Sequence, residues 1–156
     1  PQDTSSAASD VYKRQIKDVL DSHEESRQKQ NTTIEAHLDE SLQLSADSEQ
    51  FRVVVSCLIR NSLEALQHGG HIRIQLNRNA DSVILLVSDD GPGLDEIERE
   101  HLFDPFFSGR QAGRGLGFGL SRCWQILRQH GGSLEVEESE GGIAIRSVWP
   151  QTVNAS

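Results

Sequence analysis

The runs HIRIQLNRN and SVILLVSDD meet at Asn79-Ala80-Asp81. A connection this short joins two β-rich segments only as a hairpin, because parallel strands need a crossover of a dozen or more residues. The second run is apolar enough for a central strand. SLEVEESEGGIAIRSVWP repeats the arrangement about a Gly141-Gly142 turn. Helical spacing fills the rest. Phe51, Val54, Val55, Leu58, Ala65 and Leu66 recur at three or four within Ser48–Gln67, closed by Gly69-Gly70. Leu120, Cys123, Trp124 and Leu127 do the same before Gly131-Gly132. A helix is expected near residues 10–29, after a polar and flexible start, and NTTIEAHLDE alternates as a half-buried edge strand. The predicted order is α β α β β, loops, α β β. That order points to an α/β (α+β) two-layer sandwich, a mixed, largely antiparallel sheet covered on one face by helices.

At 156 residues the chain suits one domain. Residues 1–30 read as a flexible end and connector helix, 31–150 as the domain and 151–156 as a tail. A net charge of -9 argues against nucleic acid or an anionic membrane surface as the main partner. Cys57 and Cys123 each sit in an apolar helical pattern, which favours buried reduced thiols over a bridge or a zinc site. A reducing cytoplasm is the simplest setting. No window approaches the run of about 18 apolar residues that a spanning helix needs, so no membrane contact is expected. The chain contains no Met, which suggests a piece of something longer.

Chemistry concentrates in DDGPGLDEIEREHLFDPFFSGRQAGRGLGFGLS, residues 89–121. No Lys follows Lys29, so a P-loop is excluded, and the G-x-G-x-x-G pattern fails at Gly113, Gly115 and Gly117. Yet GRGLGFGLS opens a helix, and the bare amides of such a helix start suit a phosphate chain. Asp89 ends an apolar strand before Gly91-Pro92-Gly93, where its carboxylate could accept a bond from an exocyclic amine such as adenine's. Asp89-Asp90-Gly91 could equally be a plain turn. Asn61 shares a helix stripe with Cys57 and Glu64; its amide is either a surface group or an oxygen donor to a hard cation.

In this order and with these flanks, Asn61 in SCLIRNSLEAL, Asp89 in SDDGPGL, LFDPFF at 102–107 and GRGLGFGLS at 113–121 resemble the N, G1, F and G2 boxes of the GHKL superfamily. More specifically, they resemble the catalytic ATP-binding domain of sensor histidine kinases, over about residues 31–150. The resemblance implies the Bergerat ATP-binding fold, with ATP and Mg²⁺ as ligands. It gives Asn61 the catalytic and metal-ligating position, Asp89 the adenine-reading carboxylate, and Gly91 and Gly93 the close approach to the base. Phe103, Phe106 and Phe107 would anchor a lid spanning roughly Asp104 to Gly115. Arg110 stands near the phosphates, and the amides around Gly115, Leu116, Gly117, Phe118, Gly119 and Leu120 would hold them.

Two features depart from that pattern. Cys57 stands one turn before Asn61, where relatives carry Asn, His or a water-activating Glu; a thiol near its usual pKa is a poor general base at pH 7, which disfavours hydrolysis. Transfer to a partner's imidazole stays open, since the acceptor is itself the nucleophile. Only 38 residues separate His23 from Asn61, too few for a helical hairpin and its link. The acceptor is therefore expected on a dimerisation domain outside this chain, with a response regulator downstream. His23 is read as a helix-surface residue, and His37, His68, His71, His101 and His130 as structural. A non-catalytic ATP-binding module and an anti-sigma-type Ser/Thr kinase of the same superfamily remain alternatives.

Overall fold

The computed structural model describes residues 4–39, 42–104, 117–139 and 142–151. The elements run α1 (Thr4–Ser22), α2 (Glu24–Lys29), β1 (Thr32–Leu38), α3 (Ser48–Ala65), β2 (Gly70–Asn79), β3 (Ser82–Asp89), α4 (Glu96–His101), α5 (Gly117–Gln129), β4 (Ser133–Ser139) and β5 (Gly142–Pro150). Five strands form one sheet in the order β1-β2-β3-β5-β4. β1 pairs with β2 in parallel and every other pairing is antiparallel. The hairpin at Ala80 turns through a left-handed residue, φ 53°, which places Asn79 opposite Ser82.

Strand alternation decides which side chains meet the helices. In β3 the buried row is Val83, Leu85, Val87 and Asp89, while Ile84, Leu86 and Ser88 are only partly covered. Asp89 therefore closes an apolar row, with its side chain on the helix-covered face. α3 touches both α1 and α5. It buries Phe51, Val54, Val55, Leu58 and Ile59 against Ile72, Ile74, Leu76 and the β3 row. Trp149 of β5 packs on Phe51, ring centroids 5.3 Å apart, and Phe51 meets Tyr12 edge-on at 5.2 Å. Tyr12, Ile16 and Val19 extend the same core back into α1. Burying side chains of this size stabilises by about 1.5–3 kcal/mol each.

The observed elements differ from the expected ones in four places. Helix begins at Thr4, inside the polar start expected to be flexible. The single helix expected over 10–29 is two, broken at His23: Ser22 Oγ donates to the Val19 carbonyl at 2.7 Å and the His23 amide turns back to Leu20 at 3.1 Å. Such side-chain back-bonding competes with the helical ladder. α4 lies in a stretch expected to be loop, started by a capping box in which Asp95 accepts from the Glu98 amide at 2.7 Å and Glu98 from the Asp95 amide at 3.0 Å. Trp124 belongs to the helical pattern yet stands 37% exposed, with the Arg128 guanidinium over its ring at 4.8 Å; Ile126 takes its expected place in the core.

Candidate functional site

The site is built on the C-terminal half of α3, with the end of β3 on one side of it and the start of α5 on the other. Asp89 is 4% exposed. Its Oδ2 accepts from Ser62 Oγ at 2.9 Å and its Oδ1 from the Gly91 amide at 3.0 Å. A buried carboxylate needs such donors, and these two fix its plane between α3 and the following turn. The turn lies hard against the helix. A Cβ on Gly91 would sit 2.9 Å from Leu66 Cδ2 and 3.3 Å from the Ala65 carbonyl oxygen, so any larger residue would have to displace Leu66. At Gly93 a Cβ would meet nothing within 4 Å, and close packing does not explain that glycine.

Asn61 is 6% exposed on α3, one residue before Ser62 but facing a different neighbour. With Cys57, Arg60, Glu64, Gly119, Leu120 and Arg122 it lines a cavity of about 280 Å³ between α3 and α5. The predicted stripe of Cys57, Asn61 and Glu64 is one wall of this cavity. Gly117, Phe118, Gly119 and Leu120 form the first turn of α5, whose backbone N–H groups have no partner within the helix. Gly119 is also the point of closest approach, because a Cβ there would lie 2.7 Å from Cys57 Sγ. Glu64 lines a second cavity as well, about 360 Å³, whose wall includes Leu66, His68, Asp90, Gly91 and Pro92. The two cavities thus share one wall residue, with Asn61 and α5 on one side of it and the Gly91 turn on the other.

A third hollow, about 370 Å³, runs along the outward sheet face past Thr33, Glu35, His71, Arg73 and Ser88 to Asp89 and Asp90. Its guanidinium, Arg73, is paired with Glu35 at 3.0 Å, and it offers no helix start. The carboxylates of Glu35, Asp89 and Asp90 outnumber that one cation, which disfavours a phosphate chain there.

Cys57 and Cys123 are both free and buried, as expected. Their proximity is new. The Cys123 thiol hydrogen-bonds to Cys57 and holds the Cys57 pKa below the usual thiol value, with burial opposing and the Arg60 guanidinium assisting. The same bond, together with burial, pushes the Cys123 pKa up. The expectation of an ordinary Cys57 pKa is therefore corrected. A lower pKa makes the thiolate a still weaker proton acceptor, so the case against water activation stands.

Phe103 packs against the core from the end of α4. Phe106, Phe107, Arg110, Gly115 and Leu116, with nearly all of the expected lid, lie outside the described residues. Of the histidines, His130 accepts from the Asp47 amide at 3.2 Å and meets the Trp149 ring edge-on at 5.0 Å, tying the start of α3 to α5. His101 pairs with Asp104 at 2.7 Å. His23 is half-buried at the α1–α2 break, its pKa lowered by burial and by Arg60. His68 stands in the cavity wall beside Gly91. Ser62 was missed, although a signal existed: a hydroxyl interrupts the apolar spacing that runs Val55, Leu58, Ser62 and Leu66.

The architecture is that of histidine kinase catalytic domains. The catalytic domain of histidine kinase ThkA in a nucleotide-free form superposes with a TM-score of 0.81 at 30% identity, over 90% of this chain and 92% of that one. The histidine kinase ThkA in complex with response regulator protein TrrA gives 0.78 at 28% identity, over 92% of this chain and 41% of that one. The sequence profile of the family described as histidine kinase-, DNA gyrase B-, and HSP90-like ATPase matches residues 46–153, and the chain belongs to that family. Among curated relatives, the alginate biosynthesis sensor protein KinB of Pseudomonas aeruginosa is 36% identical over 104 residues, 66% of this chain. Sporulation kinase C of Bacillus subtilis (strain 168) is 31% identical over 113 residues, 71% of this chain. The matches span 17% and 26% of those two proteins' lengths.

Proposed function

We propose that this chain is the ATP-binding catalytic domain of a two-component sensor histidine kinase, presenting the γ-phosphate of Mg-ATP to a histidine on a separate dimerisation module. The observation that carries the reading is a juxtaposition along α3: Asn61 lines the cavity against the first turn of a glycine-led helix, Glu64 joins that cavity to the one under the Gly91 turn, and Ser62 with Gly91 holds the carboxylate of Asp89 beside that turn.

Each group then has a chemical task. A carboxylate accepts several hydrogen bonds at once, and Asp89 would take one from the exocyclic amine of the purine. The Gly91 turn, drawn onto Ala65 and Leu66, leaves room for the base at the cavity it lines. The α5 amides would hold the phosphates, helped by the positive end of the helix dipole. Arg60 and Arg122 in the same wall add positive charge. Magnesium, when bound, supplies charge neutralisation at the phosphates. The residues present fit it, since Asn61 and Glu64 offer the hard oxygen donors it prefers. The protein would contribute positioning and electrostatics, with the acceptor imidazole as nucleophile.

In the whole protein, a response regulator would receive the phosphoryl group next, as the ThkA complex with a response regulator suggests. No helix among the described residues is long and apolar enough to cross a membrane, and we place this domain on the cytoplasmic side. The test is thermal. A non-hydrolysable ATP analogue with Mg²⁺ should raise the melting temperature, since a ligand at 100 times its Kd stabilises by about 2.7 kcal/mol. Asp89→Asn should fold and lose most of that shift; an equal shift in both proteins would remove Asp89 from the purine site. Nucleotide binding without transfer to the acceptor module would favour the regulatory alternative, which Cys57 supports by placing a soft donor where magnesium prefers oxygen.

A further inference from the structure

Cys57 lines the cavity between α3 and α5, and its sulfur abuts α5 at Gly119, one turn before the buried Cys123, with which it hydrogen-bonds. Cys57 faces the cavity and touches the α5 backbone at Gly119; Cys123 is fully buried behind it. The functional reading uses neither thiol. We propose that the pair is a reversible oxidation site for small hydroperoxides, whose disulfide ties α3 to α5 beneath Asn61 and weakens nucleotide binding. The inference rests on the functional reading above only for its effect on nucleotide.

The geometry assigns the two sulfurs different tasks. Cys57 is the one that lines a cavity large enough for a peroxide, with Arg60 and Arg122 on the same wall to favour a thiolate and Glu64 opposing them. Its thiolate attacks one peroxide oxygen; the O–O bond breaks, and hydroxide (for an alkyl hydroperoxide, the alkoxide) leaves and takes up the proton Cys57 had released. Cys57 is now a sulfenic acid. The Cys123 sulfur attacks the Cys57 sulfur, its own proton and the hydroxyl leave as water, and the disulfide forms. Two thiols give up two electrons in all, and one hydroperoxide is reduced to water and its alcohol or a second water. Burial keeps Cys123 from reacting first and places it as the resolving thiol. Redox-sensing disulfides of this transient kind are those expected in a reducing compartment.

Bonded sulfurs lie far closer than hydrogen-bonded thiols. The bond would lock α5 to α3 one turn from the point where Cys57 already abuts Gly119 with no room for a Cβ-sized group, so the first turn of α5 would lose its freedom to settle around a nucleotide. The cavity between Asn61 and the α5 amides would then be held in one shape.

The experiment treats the reduced chain with stoichiometric hydrogen peroxide and reads intact mass, a peptide map and the affinity of a fluorescent ATP analogue. We expect loss of two hydrogens in mass, a Cys57–Cys123 linked peptide, a several-fold weaker affinity, and full recovery with dithiothreitol. Cys123→Ala should bind the analogue like the reduced wild type and yield, on peroxide, a Cys57 sulfenic acid trapped by dimedone. The wild-type mass and map decide the matter even if that variant fails to fold. Binding by the reduced protein with no such link, or with a link that leaves affinity unchanged, overturns this inference alone. A reduced protein that binds no nucleotide overturns the functional reading and, with it, the claimed effect on affinity.

Discussion

Adding one carbon at Gly119 tests the floor of the cleft directly. The new Cβ of Gly119→Ala would lie 2.7 Å from Cys57 Sγ, about an ångström inside the 3.5–4.0 Å at which non-bonded carbons rest. Overpacking of this kind costs about 1–3 kcal/mol, and the better helix propensity of alanine returns up to about 1 kcal/mol. The single variant should therefore lose about 0–3 kcal/mol. In a Cys57→Ala background the obstacle is gone, and the same substitution should be neutral or stabilising. The coupling between the two sites is expected at about 1–3 kcal/mol, well above the 0.3–0.5 kcal/mol within which independent sites add. Urea unfolding of the four proteins measures it, through midpoints at constant m. Additivity within error would mean that α5 does not rest on the Cys57 thiol.

Ser62→Ala removes a donor from the buried carboxylate of Asp89; we expect a loss of about 1–3 kcal/mol in urea unfolding and a weaker nucleotide-induced melting shift. His101 bonds Asp104, and that bond raises its pKa above the ordinary value. The pair therefore contributes stability below about pH 6.5, the unperturbed histidine value, and loses it as pH rises through the raised value. An NMR titration should show the elevated pKa in the wild type and its return to the ordinary value in Asp104→Asn.

The parts of the fold legible in the sequence are those fixed by local chemistry. The short connections at Asn79–Asp81 and between the last two strands announced two hairpins, whereas the continuous apolar run of β3 marked a central strand without saying which face Asp89 would occupy. The break at His23 carried no glycine or proline to mark it; a serine back-bond made it. α4 was hidden by the glycines around it, although Asp95 and Glu98 spell a capping box. The α3 stripe of Cys57, Asn61 and Glu64 was visible, but what it faced depended on how α3 meets α5. So did the Cys57–Cys123 contact, which no spacing encodes. Ser62 falls between these cases, because its hydroxyl in an apolar row asks for a buried partner that only the sheet register supplies.

Purine and phosphates are expected on the helix side of the sheet, between Asp89, Asn61 and the start of α5. Amide chemical shifts recorded while Mg²⁺ and a non-hydrolysable ATP analogue are added test this placement directly. The predicted result is saturable perturbation of Asn61, Gly91, Gly119 and Leu120, with Thr33, Glu35 and Arg73 on the outward face unmoved. Perturbation confined to Thr33, Glu35 and Arg73 would contradict it.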